Sequence, residues 1–129
     1  MKAIFLCMFL IFGNFISEIL FCQNKENEPI LYLYVDEMPR FESKRNLHDF
    51  VYDNIQWPAL FDGEGTVLVS FVILKDGKIN NISIERRLCS TCDNEVKRVF
   101  ELMPTWIPGV LNSETVDVKM YFPVVFKIN

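Results

Sequence analysis

The chain is 129 residues long, which is room for one small domain and a short appendage. Half of its residues are hydrophobic and 23% are charged, a composition that excludes a wholly disordered or collagen-like protein. Thirteen Lys and Arg stand against 17 Asp and Glu, a formal net charge of -4, and the sequence contains no run of five basic residues. We therefore expect no nucleic-acid partner.

The N-terminus has the layout of an export or anchor segment. Lys2 precedes a largely apolar stretch, residues 3–22. A basic start followed by a short apolar core is typical of a secretory signal, and the same stretch is long enough for a membrane-spanning helix. Residues 1–22 are therefore predicted to be a signal peptide cleaved between Cys22 and Gln23, an uncleaved anchor, or a leader lipidated at Cys22.

A spacer, a strand and a helix are predicted to follow this leader. The spacer Gln23–Pro29 is polar and lacks periodicity, and Ile30–Val35 has the composition of a strand. Asn46 is placed to cap a helix that ends before Pro58. The apolar residues of this helix are spaced to share one face: Leu47, Phe50, Val51 and Ile55.

The strongest strand signal belongs to a predicted hairpin in the middle of the chain. Thr66–Leu74 is apolar on both faces, a pattern typical of a strand that is covered on both sides. Asp76-Gly77 follows between two strand-like runs and predicts a hairpin turn. The return strand is expected from Ile79 to about Arg87, with Ile82 and Ile84 facing inward.

A second helix is predicted after Cys89-Ser90-Thr91-Cys92. Asp93 is the expected N-cap, and Pro104 ends the helix. The residues at helical spacing are Val96, Val99, Phe100 and Met103. Trp106 lies in the Pro- and Gly-containing connector that follows, and we expect it to fold back over the core.

The last segment of the chain has the pattern of a long strand. Every second residue from Val116 to Ile128 is apolar, which predicts one buried face. Pro123 cannot donate a ladder hydrogen bond, so the strand is expected at a sheet edge, where an extended peptide can pair with it. The candidate partner-binding residues on this strand are Val116, Asp117, Val118, Lys119, Met120, Tyr121, Phe122, Pro123, Val124 and Val125.

The order of these elements and several motifs resemble the C-terminal domain of the TonB energy-transducer family, in its Bacteroidetes-type form. The motifs are Val35–Phe41, Asn54–Pro58, Gly65–Ile73 with Asp76-Gly77, Cys92-Asp93, Met103–Gly109 and Val118–Phe126. The resemblance covers about Val35 to Ile128. It divides the chain into the leader 1–22, a short spacer and strand 23–34, and a TonB C-terminal-like domain 35–129.

The resemblance implies an α+β fold, in which two helices pack on one face of a three-stranded antiparallel sheet. It also implies a Gram-negative periplasmic module, soluble after signal cleavage or tethered to the inner membrane by residues 3–22. Such a module binds the TonB box of outer-membrane receptors by β-strand addition to its last strand, and an inner-membrane proton-channel complex supplies the energy. By the same analogy Gln56, Trp57 and Pro58 contact the partner. Neither catalysis nor a cofactor is implied.

One departure from the family is the short length of the spacer between the leader and the domain. The seven-residue spacer Gln23–Pro29 spans about 25 Å when extended, which is short for crossing the periplasm. Glu42-Ser43 also stands where this branch often has a pair of glycines. An envelope interaction module, or a homodimerisation module, without energy transduction is therefore the alternative function.

The cysteine pair leaves a further interpretation open. A C-x-x-C beside a helix start can serve thiol redox chemistry, but the βαβ pattern of such enzymes is absent, and exported thiols tend to form structural bridges. Cys89 and Cys92 are thus a possible disulfide. We expect no metal site, because a structural zinc needs four ligands and His48, predicted at the surface, is the single histidine. No serine-centred Gly elbow supports hydrolase chemistry.

Overall fold

Residues 28–128 are described by a computed structural model, so the predicted leader and most of the spacer lie outside the described residues. Two α-helices are present in this part, α1 (Leu47–Asn54) and α2 (Ser90–Glu101). The strands are β1 (Ile30–Leu31), β2 (Gly65–Ile73), β3 (Ile79–Arg86), β4 (Gly109–Leu111), β5 (Glu114–Val116) and β6 (Val118–Phe126). None of the helices within residues 28–128 has the length and apolar character needed to cross a membrane.

The main sheet has four strands in the order β1-β6-β2-β3. β2 is antiparallel to both β3 and β6, and these strands form the three-stranded antiparallel sheet that the sequence predicts. β1 adds a fourth strand that runs parallel to β6. The α+β prediction is thus confirmed. The predicted strand Ile30–Val35 is shorter than expected, because Tyr32–Tyr34 turns away as a 3-10 helix.

The core lies between the two helices and the odd-numbered face of β2. α1 has eight residues, too few for a stable isolated helix, so it depends on packing through the fully buried Val51. Asn46 caps α1 as predicted, and its side-chain oxygen accepts the amide of Asp49 at 2.8 Å. The other core residues are Val67, Val69, Phe71, Ile73, Cys92, Val96, Val99, Phe100, Met103, Trp106, Val124 and Phe126.

The other face of β2 is only partly covered. Ser70 and Val72 are buried, whereas Leu68 is half-buried. The oxygen of the Ser70 hydroxyl lies 2.6 Å from Oε1 of Glu85 on β3, and the hydroxyl donates to that carboxylate. The apolar run of β2 therefore reflects its central position in the sheet, where side chains of the neighbouring strands flank it.

The turn between β2 and β3 joins the sheet to the connector after α2. Gly77 has φ +86°, the left-handed conformation that the Asp76-Gly77 pair predicts. The amide of Trp106 donates to the carbonyl oxygen of Gly77 at 2.7 Å. Trp106 is 3% exposed and packs against the rings of Phe41 and Phe71, so the connector folds back over the core as predicted.

The last strand begins later than the sequence predicts. Val116 belongs to β5, which pairs with β4 in a separate two-stranded sheet, and Asp117 separates β5 from β6. The turn of the β4–β5 hairpin is Asn112-Ser113, and both residues have positive φ. Because both strands are extended, the alternation of apolar residues continues across the break and conceals it.

The start of α2 also differs from the prediction. Cys89, and not Asp93, is the N-cap, and its Sγ accepts the amide of Cys92 at 2.9 Å. Asp93 lies in the first turn and is buried, and its carboxylate accepts the amide of Leu88 at 3.0 Å. The Sγ atoms of Cys89 and Cys92 are 2.05 Å apart and form a disulfide.

Candidate functional site

The candidate site begins with the outer edge of β6, the side that faces away from β2. β2 pairs with β6 along its whole length, from Gly65 opposite Phe126 to Ile73 opposite Val118, without a register shift. On the outer side, β1 pairs only with Val118 and Lys119. The remainder of this edge is not paired with any other strand in the described part of the chain.

Alternate residues of β6 direct their main chain to this outer edge. In an antiparallel pair, the N–H and C=O of one residue face the partner strand, and those of the next residue face away. The carbonyl of Asp117 accepts the amide of Ile30 at 2.9 Å, and the amide of Val125 donates to the hydroxyl of Tyr52 at 2.8 Å. The outward-facing residues of β6 are therefore Lys119, Tyr121, Pro123 and Val125.

Pro123 occupies one of the outward positions, opposite Leu68 of β2. Its missing N–H therefore removes no hydrogen bond from the sheet, which is why a proline is tolerated inside this strand. The expectation that the last strand forms a sheet edge is met only in part, because β1 lies outside β6 at Val118 and Lys119; at Pro123 no strand pairs on that side within residues 28–128.

The outer edge is open only in its middle. β1 occupies it at Lys119, and the Tyr52 hydroxyl occupies the amide of Val125 at the other end. The open window, as we call residues 120–124, lies between these two contacts. The structure therefore narrows the edge that the sequence predicts for residues 116–125.

The opposite edge of the sheet is irregular. β3 pairs with β2 through two register shifts, and Asn81 has φ +50°. Such bulges interrupt the hydrogen-bond ladder and bend the strand, so they make an edge a poor template for a further strand. Compared with β3, the part of β6 that β1 leaves unpaired offers the more regular backbone for a further strand.

The second predicted contact region, Gln56-Trp57-Pro58, lies beside the end of β6. The ring of Trp57 meets that of Phe126 edge-on, with centroids 5.4 Å apart, and its Nε1 donates to the carbonyl of Phe61 at 2.9 Å. Trp57 remains 43% exposed. The fold thus brings together two regions that are about 70 residues apart in the sequence.

Trp57 stands between two grooves. The β6 groove, about 540 Å³, continues from the outer edge of β6 and is lined by His48, Tyr52, Ile55, Trp57, Val125, Phe126 and Lys127. The α2 groove, about 500 Å³, lies on the other side and is lined by Gln56, Trp57, Pro58, Ala59, Leu60, Thr91, Asn94, Glu95 and Arg98. A segment that follows the edge of β6 past Val125 would therefore enter the β6 groove and meet Trp57.

Two residues of α2 hold the segment before Trp57 in place. Oε1 of Glu95 accepts the amide of Gln56 at 2.7 Å, and Nη2 of Arg98 donates to the carbonyl of Asn54 at 2.8 Å. Nε of Arg98 also donates to Oε2 of Glu95 at 3.0 Å. The main chain around Gln56 is thus attached to a helix that the core keeps in position, while the side chain of Gln56 is exposed.

The same contacts shift the pKa of both charged groups. The hydrogen bond from Arg98 lowers the pKa of the Glu95 carboxyl, with a further contribution from the Gln56 amide, although burial acts in the opposite direction. The carboxylate of Glu95 in turn raises the pKa of Arg98. Glu95 is therefore charged whenever the pH is near neutral.

The predicted residues of the last strand fall into three groups. Val118, Met120, Phe122 and Val124 direct their side chains toward the helices, and Lys119, Tyr121, Pro123 and Val125 direct theirs to the other face of the sheet. Val116 and Asp117 lie outside β6. The carboxylate of Asp117 accepts the amide of Lys75 at 2.8 Å and so fixes the hairpin turn instead of facing a partner.

The cysteine pair is separate from the open window. Cys92 is buried in the core and Cys89 is half-buried at the start of α2. Within residues 28–128, no group of three or more His, Cys, Asp or Glu side chains is arranged to hold a metal ion.

A comparison with known protein families identifies the family of this chain. The family model of the Gram-negative bacterial TonB protein C-terminal domain matches residues 62–128, which is more than half of the chain. The chain belongs to the TonB C-terminal family. No curated protein matches it. The matched region contains β2 to β6, and with them the open window, but it begins after Gln56-Trp57-Pro58. TonB C-terminal domains are transport and interaction modules of the cell envelope and not enzymes.

Sequence reasoning missed four residues that shape the candidate site: Tyr52, Ile30, Glu95 and Arg98. Glu95 and Arg98 have the i, i+3 spacing of a helical ion pair, a signal visible in the sequence. The bond between Tyr52 and Val125 joins residues 73 positions apart, and no local pattern could indicate it.

Proposed function

We propose that this TonB C-terminal domain binds the TonB box of outer-membrane receptors as an added β-strand at the open window of β6, in energy-coupled transport. An inner-membrane proton-channel complex supplies the energy in this proposal. The observation that supports it is the position of the window: a regular, unpaired strand edge that leads directly into a groove formed by an exposed tryptophan.

The size of the window determines how such a partner binds. Three main-chain groups are available, the N–H and C=O of Tyr121 and the C=O of Pro123, and each hydrogen bond contributes about 1 kcal/mol. Their sum, about 3 kcal/mol, is below the roughly 4 kcal/mol that corresponds to a millimolar Kd. Contacts in the β6 groove with Trp57 must therefore add to the strand pairing.

Strand pairing would be tested by titrating ¹⁵N-labelled protein, produced from the full sequence, with synthetic TonB-box peptides up to millimolar concentration. The backbone amide signals of Met120, Tyr121, Phe122 and Val124 and the indole signal of Trp57 are expected to shift together. Shifts confined to other surfaces, or no shifts, would contradict the proposal.

A variant at Trp57 separates the groove contribution from the strand contribution. We expect Trp57→Ala to weaken peptide binding about tenfold, which corresponds to the roughly 1.4 kcal/mol of one well-packed aromatic contact. Met38→Ala is the control, because Met38 is also half exposed but lines neither groove. Equal losses in both variants would show that Trp57 has no specific part in binding.

The role in transport needs a cellular measurement. Deletion of the gene is expected to reduce uptake of nutrients that depend on outer-membrane receptors. Unchanged uptake, together with peptide binding in vitro, would favour the alternative of an envelope interaction module without energy transduction.

A further inference from the structure

The open window has few hydrogen-bond donors. Among the outward-facing residues of β6, Pro123 has no N–H, and the amide of Val125 is bound to the Tyr52 hydroxyl. The main chain of Lys119 pairs with β1. Within the open window, residues 120–124, Tyr121 therefore supplies the single outward-facing amide, beside two outward-facing carbonyls, those of Tyr121 and Pro123.

This imbalance affects two copies of the chain and a foreign strand differently. When two identical edges pair with each other, the Tyr121 amide of each copy is the only donor in the window, so two hydrogen bonds form and two of the four window carbonyls stay unpaired. A buried carbonyl without a donor is destabilising. A foreign strand supplies its own amides and forms three bonds: two to the carbonyls of Tyr121 and Pro123, and one from the Tyr121 amide.

We propose that the outer edge of β6 selects an extended segment of a different protein, one that presents two free amides two residues apart, and disfavours a second copy of this chain. Pro123 and Tyr52 are the residues that determine this selectivity, since each removes one donor from the edge. The inference rests on the proposed strand addition and specifies what the added strand must contain.

The requirement for two amides follows from the register of the edge. Tyr121 and Pro123 are two positions apart on β6, so their carbonyls meet amides two positions apart on the partner, whichever direction the partner runs. Proline at either of these partner positions would remove a bond. The partner's carbonyls matter less, because only the Tyr121 amide is available to them.

Amide-to-ester replacement in the peptide tests this requirement. Each residue of one synthetic TonB-box peptide is replaced in turn by its α-hydroxy acid, which removes a single N–H donor. We expect about fivefold weaker binding at two positions separated by one residue, and less than twofold change elsewhere. A peptide that is equally sensitive at adjacent positions, or insensitive throughout while it still binds, would overturn the inference.

Pro123→Ala tests the protein side, because it adds an amide to the edge. We expect the peptide to bind this variant about fivefold more tightly, and the association of two copies to strengthen by about 25-fold, since each pair gains two donors. Sedimentation over a range of concentrations measures self-association. Pro104→Ala, at an exposed proline that lines neither groove, is the matched control and is expected to behave as the unmodified protein.

The two proposals fail in different ways. If no TonB-box peptide binds the unmodified protein or Pro123→Ala, the proposed function fails and the selection of a foreign segment fails with it, whereas sedimentation still decides whether the edge disfavours a second copy. If the unmodified protein forms a dimer in which the Tyr121 amide signal shifts with concentration, or if Pro123→Ala is no more associated than the control, the inference fails even when peptides bind.

Discussion

The amide of Trp106 donates to the carbonyl oxygen of Gly77 at 2.7 Å, and this bond attaches the connector after α2 to the turn between β2 and β3. The contact is close because Gly77 has no side chain. A Cβ atom at this position would overlap the carbonyl oxygen of Trp106 and lie 2.9 Å from Cγ2 of Thr105. The turn conformation and the burial of Trp106 therefore depend on the same glycine.

Gly77→Ala is expected to destabilise the fold by about 2–4 kcal/mol, because the new methyl group meets main-chain atoms and φ is +86°. Chemical denaturation measures the loss. Gly63→Ala is the matched control, since a Cβ there meets only the side-chain ring of Phe61, at 3.1 Å, and that ring can move. If both variants had the same unfolding free energy, the close approach at Gly77 would not limit stability.

The ion pair of Glu95 and Arg98 makes part of the stability depend on pH. The pKa of Glu95 is lower in the folded protein than its ordinary value of 4.5. The unfolded chain therefore binds this proton first as the pH falls, and the contribution of Glu95 is complete above about pH 4.5 and lost as the pH falls through the lowered pKa.

Glu95→Gln is expected to remove this dependence. The variant should be less stable than the unmodified protein near neutral pH, and the difference should shrink as the pH is lowered past 4. Thermal unfolding at a series of pH values measures this difference in stability. Arg45→Gln, which breaks an exposed ion pair with Asp53, should leave the acid dependence nearly unchanged. A constant difference between Glu95→Gln and the unmodified protein at all pH values would contradict this explanation.

The disulfide at the start of α2 is expected to contribute to stability and not to binding. Replacing both Cys89 and Cys92 by Ala should cost about 2 kcal/mol, the chain-entropy estimate for a loop this short. Peptide affinity should be unchanged, because the bridge lies outside the open window. Dithiothreitol should lower the Tm of the unmodified protein and leave that of the double variant unaffected. A loss of peptide binding in the variant would instead place the cysteines in the site.

β1 limits the open window at one end, and a single substitution can remove its hydrogen bond. Ile30→Pro abolishes the amide that donates to the carbonyl of Asp117. We expect the edge to open toward Lys119 and TonB-box peptides to bind a few-fold more tightly, with new amide shifts at Lys119. Leu33→Ala, just beyond β1 and largely exposed, is the control. Weaker peptide binding to Ile30→Pro would indicate that β1 supports the partner and does not compete with it.

The sequence predicts the central hairpin and both helices because their signals are local. Asp76-Gly77 determines a turn by conformation alone, and the spacing of Val96, Val99 and Phe100 indicates one helix face. The approximate position of the candidate site is also predictable, since a proline inside an apolar strand indicates a stretch without a pairing partner on one side.

The features that limit the site are not local and escaped prediction. The parallel pairing of Ile30 with Val118, like the contact between Tyr52 and Val125, joins distant segments through main-chain groups that every residue carries. The break at Asp117 is hidden because β5 and β6 continue the same alternation. Asn112-Ser113 is a weaker hairpin signal than Asn-Gly, although both residues adopt positive φ.

The two tryptophans differ in environment, and this makes the protein's intrinsic fluorescence a two-part reporter. Trp57 is 43% exposed beside the β6 groove, whereas Trp106 is 3% exposed and its indole N–H has no hydrogen-bond partner within residues 28–128. Emission from Trp106 should thus be blue-shifted and inaccessible to aqueous quenchers until the chain unfolds. Quenching by acrylamide at low denaturant concentration would then report on Trp57 alone, and so on occupancy of the two grooves that it lines, without any attached dye.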